Sequence, residues 1–357
     1  SSAGTITASG GTLDLTGTVS GRTLAVATVA GSTLKIDGTA TTAAATSITL
    51  NNANQTLEIG ASGSLTISAA ETATNGTIKM DGGTLTDSAG ITLTSPATLT
   101  GLGTVSANTA LSGTGIVKAS GGTLDLLGTV NSGLVLQIDT TGGSTLKIDG
   151  TATSAAAITL NSANQTLEIG AAGSLTINAA EVATAGTIKM DGGTLTDAGG
   201  LTVTSPALLT GLGTVAANIA TSTGTITATG GTLEITGTVS NATLLRVGST
   251  AGDRLKLDGV SSAVTLAFLG STGTLEVNTG GTLTVTNALA VGANSVVLDG
   301  AGSTLTDTAG LTLAGGTISG LGTLGANTNI TGSGTLSVPI SSAGTITASG
   351  GTLDLTG

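Results

Sequence analysis

Short runs of the form T-[LI]-x-[LIM] recur along the chain: Thr12-Leu13-Asp14-Leu15, Thr33-Leu34-Lys35-Ile36, Thr56-Leu57-Glu58-Ile59 and Thr77-Ile78-Lys79-Met80 are the first four. Apolar and polar positions alternate within each run, the two-residue period of a β-strand with one face buried. Leu13 and Leu15 are therefore predicted to enter a core while Asp14 faces solvent. A second set, including Ile48–Leu50, Leu65–Ile67 and Ile91–Leu93, implies at least two strands per period. Between the strands lie Asp-Gly pairs at 37–38, 81–82, 149–150, 191–192, 258–259 and 299–300. Gly tolerates positive φ and Asp bonds nearby backbone, so these pairs are predicted to be corners that end strands.

The residues at x carry a second signal. Asp14, Lys35, Glu58 and Lys79 follow one another at 21, 23 and 21 residues by subtraction. Asp125, Lys147, Glu168 and Lys189 repeat the series at 22, 21 and 21, and Glu234, Lys256 and Glu276 continue it before Val297 takes the next place. If one coil of a solenoid takes about 22 residues, each x stacks on the last at the strand spacing of about 4.8 Å. Acid over base is then an attractive ladder, and its main value is register, because a slip of one coil would bring like charges together. Each exposed pair would contribute only about 0–1 kcal/mol.

A longer repeat overlies the short one. The signature G-x-x-x-A-[ST]-G-G-T-L-[DE]-[LI] starts at Gly4, Gly115, Gly224 and Gly344, giving spacings of 111, 109 and 120 by subtraction. The expected organisation is one continuous solenoid segment over residues 1–357, with large units at about 4–114, 115–223 and 224–343 and the next copy starting in 341–357. The longer third unit leaves room for an extra partial coil near Ile318–Ile340. Ser1–Gly17 recurs unchanged as Ser341–Gly357, from which we expect a segment cut out of a longer tandem array.

Composition agrees with thin, regular layers. The chain has 357 residues, 59 of them Gly, is 39% hydrophobic, and has no Trp, Tyr, Cys or His and a single aromatic residue, Phe268. Leu, Ile, Val and Ala must fill the core. The fold class expected is all-β, a right-handed parallel β-helix of about 22-residue coils, some 15 or 16 of them, giving a rod near 75 Å long. A string of immunoglobulin-like sandwiches is the rival for a unit near 110 residues, but such domains carry core aromatics and about seven strands. Three prolines and no three-residue Gly period exclude collagen.

The T-L-x-I strands, G-G-T-L corners and G-L-G-T connectors together resemble the β-strand-repeat passengers of bacterial autotransporters and filamentous-haemagglutinin-like adhesins, over the whole chain. That resemblance implies a secreted solenoid stalk at a bacterial cell surface. It points to two functions. The first is a structural component of an extracellular filament, sheath or scaffold; the alternative is the stalk or binding face of a giant adhesin, attaching to surfaces or building biofilm.

Candidate chemistry is sparse. A net charge of −11 argues against nucleic acid and anionic lipid as partners, and no apolar run reaches the ~18 residues of a membrane span. Without His or Cys, the commonest proton carriers and nucleophiles are missing. Asp81 with Asp87 and Asp191 with Asp197 are the carboxylate pairs that could be proposed for glycan cleavage, yet they recur in register beside Gly corners, which reads as architecture. No enzymatic site and no cofactor are expected. Calcium is the alternative reading of the corner Asp residues, although the calcium-binding nonapeptide is absent. The expected partner is the protein itself, stacked end to end or laterally, with a glycan or surface as the alternative contact.

Overall fold

The structure, a computed structural model, describes residues 4–220, 222–325, 329–341 and 344–357. These residues contain β-strands and turns and no helix. The chain divides into two compact units, Ser1–Ala179 and Ala180–Gly357.

In the first unit, strands one coil apart pair in parallel and in register. One column of inward side chains runs Leu13, Leu34, Leu57, Ile78, Leu99, Val117, Leu136, buried from Leu34 onward, with steps of 21, 23, 21, 21, 18 and 19 residues by subtraction. A second runs Ala40, Leu65, Leu85, Val105, Leu126, Ile148, Ile169. A third runs Glu71, Ile91, Leu111, Val130, Ala152, Leu175. Each coil of this β-solenoid thus has three faces, each contributing short strands whose inward residues alternate with outward Thr and charged residues. Leu34, Leu57, Ile78, Leu99 and Val117 are fully buried, so a coil too thin for aromatics is filled by aliphatic side chains stacked on their counterparts.

The three faces explain the long repeat. Five steps along the first column lead from Leu13 to Val117, whereas the sequence equivalent of Leu13 is Leu124, which stands on the next face beside Gly103 and Leu146. The 111-residue spacing is therefore five coils plus one face. In the second unit, Leu233, Leu255, Leu275, Val296, Ile318, Leu336 and Leu355 form a single column. Six steps, 122 residues from Leu233 to Leu355, bring the chain back to the strand that carries the next G-G-T-L-[DE]-[LI] signature, whose Leu353 stands two residues before Leu355, which accounts for the longer spacing of 120. The additional coil passes through Thr317–Ser319 and Thr335–Ser337; residues 326–328 of the predicted extra segment lie outside the described residues.

Two local expectations need correction. Asp81-Gly82 and Asp191-Gly192 do not end strands: Thr77–Asp87 and Thr187–Val203 run through them. The neighbouring strand Thr98–Val105 pairs with both halves of Thr77–Asp87, and the ladder shifts register between Leu102 and Thr104. The corner is thus a bulge that bends the strand without freeing its backbone. Burial changes phase there, from Ile78 and Met80 to Gly83, Leu85 and Asp87. At such a bend coils approach closely: Gly101 has φ +119°, and a Cβ there would lie 1.8 Å from the Met80 carbonyl oxygen. Residues 48–50, in turn, are not a strand. They lie in an irregular stretch that joins the sheet through an isolated bridge, Leu50 to Ala73.

Candidate functional site: charge columns and sealed corners

The register places the charged x residues as follows. Asp14 pairs with Lys35, Lys35 with Glu58, and Glu58 with Lys79, all on the first face; above Lys79 the column continues with Thr100, Lys118 and Gln137. Asp125, Lys147 and Glu168 occupy the second face, stacked on Thr104. In the second unit Lys189 pairs with Thr210, and Glu234, Lys256 and Glu276 form another column that passes to Val297. The two series of the first unit are therefore separate ladders on adjacent faces.

Ion-pair geometry is more local than the ladder alone suggests. Lys79 reaches Glu58 at 3.3 Å and Lys256 reaches Glu234 at 2.6 Å across one coil. Lys35, however, pairs at 2.7 Å with Asp37 of its own coil, and Lys147 lies 2.5 Å from Asp149 but 3.9 Å from Asp125. The K-[IL]-D-G sequence produces this, because side chains two apart on a strand share a face. The corner Asp residues are thus also counter-ions, and the hydrogen bond that Lys35 donates to Asp37 raises its ammonium pKa, as the one that Lys147 donates to Asp149 raises that of Lys147. Glu276 pairs with Arg254, which the T-L-x-I pattern does not single out.

Inside the corners lies a set of buried polar residues with no conspicuous motif. Gln55 is 2% exposed. Its Oε1 accepts from the Asn51 and Asn52 amides at 2.7 and 2.8 Å, and its Nε2 donates to the Val26 and Thr49 carbonyls at 2.6 and 3.1 Å. Gln165 repeats the four bonds with Asn161, Ser162, Ile138 and Thr159. Ser32, stacked on Gln55, accepts from the Gly10 amide and donates to the Val29 carbonyl. Asp253 and Asn294 do similar work in the second unit, accepting from Gly230 and Thr250 and from Gly273 respectively. A corner cannot use the strand ladder, so a side chain supplies the partners its backbone needs.

A second kind of corner is closed by T-[LI]-T-D. Asp87 Oδ1 accepts from the Ala89 and Gly90 amides, and Oδ2 from the Glu71 amide at 3.2 Å. Asp197 does the same with Gly199, Gly200 and Glu181, and Asp307 with Ala309, Gly310 and Leu289. Asp87 is buried while Asp81 is half-exposed on the outer side of the same strand. The two carboxylates do not share a site, and the buried one is engaged by three amides. Burial raises the Asp87 and Asp197 pKa values against those stabilising bonds. Among the described residues no three His, Cys, Asp or Glu side chains cluster as metal ligands would.

One polar cleft, of about 250 Å³, lies in the first unit over Lys118, Gln137, Asp139 and Asn161. Lys118 holds Asp139 at 2.9 Å, and with Ser120 it keeps that carboxyl well below the usual range. In the first repeat Lys118, Gln137 and Asp139 are replaced by Thr7, Ala25 and Ala27, while Asn161 is matched by Asn51, so the charged pair of the cleft is not a repeated feature. No family model, curated protein or solved structure matches the chain.

Proposed function

We propose that this chain is a structural component of an extracellular filament, sheath or surface scaffold, assembled by stacking solenoid repeats. The observation that carries the reading is the continuity of the columns: within each unit every coil meets the backbone donors and acceptors of the next, so length can be added one repeat at a time without a new core. The charged residues of the T-[LI]-x-[LIM] strands face outward as register marks, and the buried corner residues serve the backbone.

End-to-end contact with another copy of the chain follows from the same physics. Each coil pairs with the next through parallel strand edges, as Ile330–Ser337 does with Ile346–Leu355, and such an edge is a template for a further strand, whether of the next repeat or of another copy. Secretion to a bacterial surface is part of this proposal, as is self-association as the principal contact. The experiment is electron microscopy with sedimentation of the purified chain over a concentration series. Unbranched threads that lengthen with concentration support the scaffold; a chain that stays monomeric yet binds glycan-coated surfaces would replace it with the adhesin.

A further inference from the structure

In the first unit one buried acid is not explained by the corners it adjoins. Glu71 is 0% exposed and begins the third column, stacked on Ile91 and then Leu111. Its Oε2 accepts from the Ile48 amide at 2.6 Å, while its Oε1 is buried without a hydrogen-bond partner. The segment it touches, Ala43–Leu50, is the irregular stretch of this coil. Ala45 there has φ +58°, Ala44, Ala45 and Ser47 are exposed, and Ile48 and Leu50 alone are tucked in. The elements packed on the carboxyl bring aliphatic Ile48 and Ile91 and one ionisable group, Asp87, whose Oδ2 accepts from the Glu71 amide. An anion here would face a second carboxylate with one oxygen unsatisfied.

The same corner is built elsewhere without an acid. In the second unit Asp307 Oδ2 accepts from the Leu289 amide at 2.6 Å, as Asp87 does from Glu71, and Leu289 is fully buried. Leu therefore satisfies the fold at this position. Glu181, 1% exposed and bonded through its amide to Asp197, is the second acidic copy.

We propose that Glu71 is a proton-controlled latch: when protonated it seals Ala43–Ile48 onto the solenoid, and when it loses the proton that segment opens. Burial, chiefly, and the Asp87 charge raise its pKa to about 7, against the backbone bonds from Ile48 and Thr72 that lower it. Opening returns the carboxyl to water and its ordinary range, so the open form releases the proton and is favoured as pH rises. With a closed value of about 7 and an open value of 4.5, the opening constant at pH 8.5 is about 30-fold that at pH 5.5. The coil is thus tight in mildly acidic surroundings and loosened above neutrality.

The test is hydrogen exchange at the Ile48 amide in the full chain, corrected for intrinsic rates, from pH 5.5 to 8.5. The wild type should lose protection about 30-fold, while Glu71→Gln, which keeps the acceptor and cannot ionise, should stay protected throughout. Should that variant not fold, a carboxyl carbon-13 titration of the wild type decides, with a Glu71 midpoint near 7 expected. Protection independent of pH, an unchanged pH dependence in Glu71→Gln, or a midpoint below about 5 would overturn the latch. So would calcium restoring protection at pH 8.5, which would make the pocket a cation site.

Discussion

Replacing Gln55 by Leu separates the corner residues from the strands they join. The substitution conserves volume and hydrophobic fit but removes four hydrogen bonds, to Asn51, Asn52, Val26 and Thr49. The bond to the Val26 carbonyl is fully buried, so its loss leaves an unsatisfied acceptor costing about 1–3 kcal/mol. The other three partners are partly open to water, and each loss costs about 0.5–1.5 kcal/mol. The whole amounts to roughly 2.5–7.5 kcal/mol, large for one side chain. Because a solenoid can loosen coil by coil, a single unfolding midpoint would understate the effect. Amide exchange at Asn51 and Asn52 in the intact chain, with denaturant melts alongside, reads it directly. Both amides should lose at least 100-fold of their protection, equivalent to about 2.7 kcal/mol, while amides in Ser64–Ile67 change little. A Gln55→Leu chain with protected Asn51 and Asn52 amides and a melt shifted by less than about 1 kcal/mol would refute the idea that these side chains hold the corners.

Other perturbations probe the remaining layers. Gly101→Ala places a Cβ against the Met80 carbonyl in a left-handed conformation and should destabilise the chain by several kcal/mol, about as much as a core truncation; equilibrium melts check this. Lys256→Glu reverses the charge between Glu234 and Glu276 and should cost no more than about 1–2 kcal/mol. The cost should shrink when the melt is repeated at high salt, because Lys256 and Glu234 are partly exposed. Asp87→Ala strips the acceptor from three amides and should cost about 2–5 kcal/mol, seen as faster exchange at Ala89 and Gly90.

Much of this architecture was legible in the residues. Leu13, Leu34, Leu57 and Ile78 alternate with polar neighbours at a spacing that only a coil of about 21 residues explains, and the signs of Asp14, Lys35, Glu58 and Lys79 fit the same stack. The number of faces was not legible, since marks that occur once per coil cannot count the strands between them. Equivalent segments such as 12–15 and 123–126 therefore looked coaxial, whereas they stand on adjacent faces.

The corners hid for a different reason. In an alternating strand a polar residue reads as outward, yet Asp87 lies two residues beyond Leu85 and shares its inward face, as Asp307 does with Leu305. Gln55 and Gln165 precede T-L-E-I and look like surface residues, although the corner behind them has unmet amides and carbonyls that pull each amide side chain in. The signal that could have revealed them is their stacking on Ser32 and Ser144, polar residues one coil earlier at the same strand start.

Paired cysteines can report the three-faced parallel stack without interference, because the chain contains none of its own. Thr100 is in register with Lys118 one coil on, whereas Asp125, the sequence counterpart of Asp14, stands on the next face beside Thr104. Cysteines at 100 and 118 should form a disulfide rapidly under mild oxidation, as should a pair at 104 and 125, while a pair at 100 and 125 should not. Efficient cross-linking of 100 to 125 with none between 100 and 118 would contradict the stack.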